Sequence, residues 1–374
     1  MQQPGIESIA AAFAIPGRFV SAAPLGSGHI HATHLVVHED AGRRRRTVLQ
    51  RLNRAVFPEP AKLMENVARV TGHQQALLAR ENVPDAARRA LRLVPPRAGG
   101  LAHVDASGET WRAFVFVEGA HSHDVVRGAA DARAAAQAFG RFQTQLVDLP
   151  GPPLHEVLPR FHDARWRLEQ LLEAARADAC GRLRDVRAEM DFVLAREGVV
   201  DRLPALRSAG RLPERIAHND TKINNVLFDD ASGEAICVID LDTVMPGLAV
   251  HDFGDLVRTA ASPTAEDERD LTKVGLREDL FAALVEGYLR GARAFLTEVE
   301  RAELGFASRL LTLTVGMRFL ADHLAGDRYF RVHRAGQNLD RARTQLRLVA
   351  SMEEHSGRME EIVAEAAERL RSER

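Results

Sequence analysis

Cysteine and lysine are both scarce in this 374-residue chain. The two cysteines, Cys180 and Cys237, stand far apart and outside any CxxC. That argues against a disulfide framework or a zinc site and fits a reducing cytosol. Lysine occurs only at Lys62, Lys222 and Lys273, so nearly all positive charge is arginine. No apolar run approaches the ~20 residues that span a bilayer. The segment "MQQPGIESIAAAF" lacks a basic stretch followed by a long apolar core, so a cytoplasmic location without a signal peptide is the expectation. A net charge of −2 supplies no field that favours nucleic acid or a membrane surface, and neither is an expected partner. Repeats and low-complexity segments are also absent.

What is present is an ordinary globular balance, 45% hydrophobic and 27% charged, in a chain long enough for two lobes. Residues 1–117 read as a small antiparallel sheet with one packed helix. "FVSAAPLGSGHIHATHLVVHE" gives two β-prone runs around a glycine turn, and "RRRRTVLQRLN" continues as a strand with Val48 and Gln50 on one face and Leu49 on the other. The helix is "AKLMENVARVTGHQQALLARE", and "WRAFVFVE" is a further strand. The run Arg43–Arg46 reads as a solvated turn between two strands. Residues 118–374 read as mainly helical, with helices over 130–149, 161–178, 184–198, 277–296 and 302–325 and a charged helical tail from 340. One β-hairpin interrupts them, "NVLFD" and "AICVIDLD" closed by a Gly turn. The expected fold is therefore α+β in two lobes, with the active site between them.

The chemistry concentrates in "HNDTKINN". His218, Asp220, Lys222 and Asn225 fit H-x-D-x-K-x-x-N. In phosphoryl transfer a carboxylate orients the acceptor hydroxyl and takes its proton, a cation neutralises the transferring group, and an Asn five residues past the Asp offers a metal an oxygen. That match alone is weak, since a polar turn before a hairpin has the same composition. Asp240 strengthens it. It ends the apolar strand "AICVID" 20 residues after Asp220, where a carboxylate can bind Mg²⁺ bridging nucleotide phosphates. Asp252 of "HDFGD" lies further on, past "MPG", so the literal DFG triplet reads as a decoy. Asp252 is expected near a helix start, accepting backbone N–H bonds and bracing the catalytic loop. Asp242 is open between a second metal contact and a strand-end polar residue. The turn "LGSGHIHAT", with Gly26, Ser27 and Gly28, sits where a lid over phosphates would be.

These stretches together resemble the aminoglycoside-phosphotransferase-type kinases, a branch of the protein-kinase-like fold. Within that family the chain resembles the N-acetylhexosamine 1-kinases, in "GSGHIHATHLV", "VLQRLN", "LMENV", "FVFVE", "FHD", "HNDTKINNVLFD", "IDLDTVMPG", "DFGD", "GMRFLADHLAGDRYF" and "RTQLRLV". The matching segments run from about residue 25 to 350. The resemblance implies ATP and Mg²⁺, with phosphate placed on the anomeric hydroxyl of N-acetylglucosamine or N-acetylgalactosamine. It implies Asp220 as catalytic base, Asn225 and Asp240 as metal ligands, and Phe116, Val117 and Glu118 as adenine hinge. It also implies sugar contacts from His29, Arg318 and Tyr329.

The chain departs from the wider fold at Gln50, where a strand lysine should reach the phosphates. Its usual helical acidic partner is expected to be replaced by Asn66, with Glu65 the other candidate. Lys222 is expected to supply the missing cation, the alternative being a nearby arginine such as Arg51. Arg318 and Asp322 are four apart on a helix, so an ion pair between them is open. Other acceptors remain open as well: another sugar, an aminoglycoside, choline or homoserine. So does a nucleotide-binding regulator without catalysis, though retention of Asp220, Asn225 and Asp240 together argues against it. A monomer is compatible with everything in the sequence.

Overall fold

The computed structural model describes residues 5–26 and 30–373. Ser27, Gly28 and His29, assigned above to nucleotide and sugar, lie outside the described residues. The chain folds into two compact units that interleave along the sequence. Unit 1 combines Met1–His121 with Asp148–Leu158 and Phe228–Met245, and unit 2 takes Ser122–Val147, Pro159–Leu227 and Pro246–Arg374.

Unit 1 is built on a six-stranded sheet of β1 (Arg18–Pro24), β2 (Ala32–Asp40), β3 (Arg43–Arg51), β4 (Leu93–Val94), β5 (His103–Val104) and β6 (Thr110–Val115), in the order β1-β2-β3-β6-β4 with β5 also on β6. All pairs are antiparallel. The short helix α1 (Ile6–Ala11) leads into a core of Ile9, Phe13, Ile15, Val36, Leu49, Trp111 and Ala113. The arginine run lies within β3 and not in the turn, which is Ala41-Gly42. Its side chains are tolerated there because Arg43, Arg44 and Arg45 stay in solvent. Helix α2 (Pro60–Arg80) begins with Pro at its first turn and buries Leu63, Met64, Val67, Val70 and Leu78, each worth about 1.5–3 kcal/mol of apolar transfer. The short α3 (Ala86–Arg89) follows. The hairpin strands Val226–Asp229 and Ala235–Val238 form a three-stranded sheet with Ala120–His121. Residues 148–158 and 228–245, read from sequence as parts of a lobe starting at 118, thus cluster with unit 1.

Unit 2 is helical: α4 (Ala129–Gln145), α5 (Ala164–Ala177), α6 (Arg187–Leu194), α7 (Arg202–Ser208), α8 (Ala249–Ala260), α9 (Glu278–Gly291), α10 (Glu298–Ala302), α11 (Leu304–Leu324), α12 (Gln337–Glu354) and α13 (Ser356–Ser372). The helix expected over 184–198 is regular only through α6, with 3-10 turns at 183–186 and 197–199, the second holding the poor helix former Gly198. Helix α11 is long and apolar enough to cross a membrane by length and composition, contrary to the expectation that no run approaches that length. It is mostly buried, packed on α5, α8 and α12. Helix α8 approaches it closely through Gly254, where a Cβ would stand 2.7 Å from the Ala307 carbonyl oxygen.

Candidate active site

The loop 218–225 of unit 2 connects the strand Arg215–Ala217 to the hairpin. Its backbone bends at Asn219, a non-glycine residue at φ 65, a region that Asn tolerates better than most residues. The loop is fixed from α8. Asp252 accepts the backbone N–H of His218 at 2.8 Å and of Asn219 at 2.7 Å, and the Gln143 amide at 2.6 Å. Tyr288 in turn donates to Gln143 Oε1 at 2.6 Å. One turn along α8, Asp255 accepts the Thr221 N–H at 2.9 Å and pairs with Arg258, which also pairs with Glu266. Burial pushes the Asp252 carboxyl up to about 6, against the His218 charge and the two backbone N–H donors that favour the anion. Both Asp252 oxygens face the loop backbone or Gln143, so the bracing expected of "HDFGD" is what the geometry contains.

The braced loop brings together three residues that the sequence pattern singled out. Lys222 Nζ lies 2.8 Å from Asp220 Oδ1. Asn225 Nδ2 donates to the Asp220 carbonyl at 2.9 Å and to Asp220 Oδ2 at 3.2 Å. Burial raises the Asp220 pKa, but the Lys222 charge and hydrogen bond, with His218 and Arg258 behind them, outweigh it and leave the carboxyl below its ordinary value. Asp220 is therefore an anion at neutral pH with one lysine against it. His218 is fully buried, with its ring edge-on to Phe139 and Phe142.

A second cluster of unit 2 surrounds Arg318. Its guanidinium lies 5.0 Å from the Phe161 ring, 5.8 Å from Tyr329 and 5.4 Å from Phe330. The ion pair considered with Asp322 is not formed. Asp322 instead accepts the backbone N–H groups of Arg328, Tyr329 and Phe330 at 2.8–2.9 Å and the Asn338 amide, so it shapes the loop that presents Tyr329, which is 61% exposed. Arg167 lies in the same cluster, its guanidinium 4.4 Å from the Trp166 ring. Burial and the neighbouring Arg318 charge depress its pKa to about 10. Among the described residues no carboxylate pairs with Arg318 or Arg167. His162 meets the loop 218–225: its Nε2 lies 2.9 Å from the Asn219 carbonyl, and its ring lies 5.3 Å from His251. Burial and Arg318 hold His162 down at about 3, and burial holds His251 well below its usual value.

In unit 1, Val48 and Gln50 share a face of β3, and Phe116–Glu118 continue from the adjacent β6, with Phe116 N donating to the Arg46 carbonyl at 3.2 Å. Arg46 stacks on the Phe116 ring at 4.1 Å and pairs with Glu118. Gly26 has a φ of +73, which a glycine turn readily adopts. Neither residue of helix α2 considered as the partner of Gln50 bonds it. Asn66 is fully buried and bonds the backbone of His155 and Val244, while Glu65 pairs with His155. Gln50 Oε1 instead accepts from Arg112 Nε at 2.9 Å. Arg112 forms a two-pronged pair with Asp242, which also meets His31 at 2.6 Å. Arg51, the arginine considered for the phosphates, pairs with Glu109 at 3.8 Å. Sequence reading missed Arg112, although a charge amid the β-prone run "WRAFVFVE" signals a buried residue that needs a partner.

Asp240 is exposed and adopts φ 59, ψ 61. Each residue expected to hold Mg²⁺ carries, by itself, donor chemistry that suits the ion. In unit 2 the Asn225 amide nitrogen is engaged by Asp220, and in unit 1 Asp240 carries a carboxylate. An amide oxygen and a carboxylate are both hard oxygen donors of the kind that Mg²⁺ takes.

A sequence model of the phosphotransferase enzyme family matches residues 21–302. Solved structures with the same fold include an aminoglycoside phosphotransferase from Alicyclobacillus acidocaldarius, at 13% identity and a TM-score of 0.58 over 100% of this chain and 98% of that one. A choline kinase from Cryptosporidium parvum matches at 13% identity and a TM-score of 0.53, covering 90% and 89%. A spectinomycin phosphotransferase solved with ADP and spectinomycin matches at 11% identity and a TM-score of 0.53, covering 93% and 97%.

Proposed function

Since the chain belongs to the phosphotransferase enzyme family, we propose that it is an ATP-dependent kinase acting on the anomeric hydroxyl of an N-acetylhexosamine. The observation that carries the acceptor class is the Arg318 cluster. An ammonium-bearing acceptor, such as an aminoglycoside or choline, calls for carboxylates, and this cluster offers two arginines with no paired acid and several aromatic faces. A neutral sugar with an acetamido group suits it better: ring faces pack on Phe or Tyr, and guanidinium N–H groups donate to carbonyl and hydroxyl oxygens. Arg318 and Tyr329, with His29, are the proposed sugar contacts.

Transfer is direct. Asp220 orients the acceptor O1–H and takes its proton as the O1–phosphorus bond forms and the bond from phosphorus to the β,γ-bridging oxygen breaks, releasing ADP. Lys222 keeps Asp220 ionised and adds positive charge at the site of transfer. Mg²⁺, held by the Asn225 oxygen and the Asp240 carboxylate, would supply charge neutralisation on the phosphates. Gly26, Ser27 and Gly28 are the proposed phosphate lid. Val48, Gln50 and the hinge Phe116, Val117 and Glu118 are assigned to the nucleotide.

Incubation with ATP and a panel of sugars, amino alcohols and aminoglycosides, with products read by ³¹P and ¹H NMR, tests this reading. The expected product is the 1-phosphate of N-acetylglucosamine or N-acetylgalactosamine. A 6-phosphate, or phosphate only on amines or amino alcohols, would overturn the acceptor assignment.

A further inference from the structure

The strand Ala235–Val238 runs into a short turn whose first residue, Asp240, holds a left-handed backbone without being glycine. Asp adopts this region more readily than most residues. Three side chains of unit 1 hold the turn within a few residues. Arg112, from the middle of β6, is 2% exposed and reaches both oxygens of Asp242. His31 Nδ1 accepts the Asn53 N–H at 3.0 Å, which leaves Nε2 to carry the proton and donate to Asp242 Oδ2. Asn66 donates to the Val244 carbonyl at 3.1 Å, at the far end of the turn.

Stability is a poor reason for such a pair, since a buried arginine–carboxylate contact is often matched or bettered by apolar packing. Geometry is the better reason. The fork of Arg112 fixes a planar carboxylate in two contacts, where a lysine ammonium would act as a point charge. Gln50 orients the fork: its Oε1 accepts Arg112 Nε at 2.9 Å and its Nε2 donates to Thr33 Oγ1 at 3.1 Å. The chain Thr33–Gln50–Arg112–Asp242 thus crosses β2, β3 and β6 and ends two residues from Asp240. It also gives Gln50 a reason to be neutral, because a lysine there would bring a second cation against the guanidinium.

We infer that Arg112 is a positioning residue for the metal aspartate. By gripping Asp242 it sets the backbone of Asp240, and Asp242 is the anchor of the turn and not a second metal ligand. The inference rests on the reading of Asp240 as a Mg²⁺ ligand.

The test is calorimetric binding of a non-hydrolysable ATP analogue to the full chain, across a Mg²⁺ titration and in EDTA, with thermal midpoints recorded alongside. Arg112→Met should raise the half-saturating Mg²⁺ concentration by roughly 10- to 100-fold, the usual effect of removing a partner behind a metal ligand. Metal-free nucleotide affinity should hold within about two-fold, the binding contact itself being intact. Arg112→Lys should recover part of the loss. Gln50→Lys should also raise the Mg²⁺ requirement instead of improving the site. If Arg112→Met does not fold, Asp242→Asn carries the test. Folded variants with Mg²⁺ curves superimposed on the parent would overturn the inference. So would metal-free affinity falling in step with the Mg²⁺ effect, since Arg112 would then act on the nucleotide itself. A parent protein that binds the analogue with no dependence on Mg²⁺ would overturn the metal reading and this inference with it.

Discussion

Asp220 and Lys222 form a pair in which each sets the other's charge. Burial alone would push the Asp220 carboxyl upward, and the lysine reverses that. Asp220→Asn should therefore bind ATP and sugar nearly as before and lose roughly 10²–10⁴ in kcat, the usual worth of a positioned base. Near-parental kcat would remove Asp220 from the mechanism. Lys222→Met should lower kcat by about 10-fold or more, some 1.4 kcal/mol of transition-state stabilisation. It should also move the acidic limb of the kcat/KM profile to higher pH. The sign follows from the causes: with the lysine gone, desolvation dominates, the Asp220 pKa rises, and the base protonates at a pH where the parent is still ionised. A pH profile with an unmoved limb would show that Lys222 does not tune the base.

Helix α8 acts as a brace at the scale of an element. Asp252→Ala would leave the N–H groups of His218 and Asn219 and the Gln143 amide without an acceptor in a buried site. At ~1–3 kcal/mol for each lost buried partner, the midpoint of denaturant unfolding should fall clearly. Any folded remainder should still bind Mg·ATP, whereas Asp240→Ala should abolish Mg²⁺-dependent nucleotide binding. The reverse pattern would make "HDFGD" the metal motif. Much of this element was legible beforehand. The periodicity of α2, α4, α9 and α11, the hairpin strands and the bracing role of Asp252 all follow from local spacing and strand–turn order. Gln143, Tyr288, Arg112 and the Asn66 contacts were not legible. Each is a polar side chain whose partner lies tens of residues or more away, and a period of 3.6 or 2 carries no information about pairing at that range. The arginine run was misplaced for a related reason: exposed charge suits a turn and an open strand face equally, and only the pairing of β2 with β3 decides between them.

For the whole molecule, two opposed titrations shape stability against acid. His162 and His251 are neutral when folded and titrate near 6.5 when unfolded. Their folded pKa values are depressed, so the stability they contribute is present above about 6.5 and is lost as pH falls toward 3. Asp252 has the opposite sign: its folded value near 6 lies above the unfolded one, so its contribution grows as pH falls through that range. Comparing thermal midpoints of the parent and of His162→Gln at pH 8 and pH 5.5 separates them, because Asp252 is common to both proteins. The parent should lose more on acidification, and equal losses would show that His162 does not titrate in this way.

The interleaving of unit 1 also bears on how the protein is made. Arg112 is buried in the first segment, and the carboxylate that matches it arrives only with residue 242. Between the end of the first segment and the start of the last, roughly a hundred residues must be synthesised, about 5–20 s at ordinary ribosomal rates. Over that interval Arg112 lacks its carboxylate, and the first segment is expected not to hold the six strands as the finished protein does. Released alone, Met1–His121 should unfold without a cooperative transition and be cleaved readily by protease. On that expectation unit 1 completes its fold only once the turn that carries Asp242 has been made.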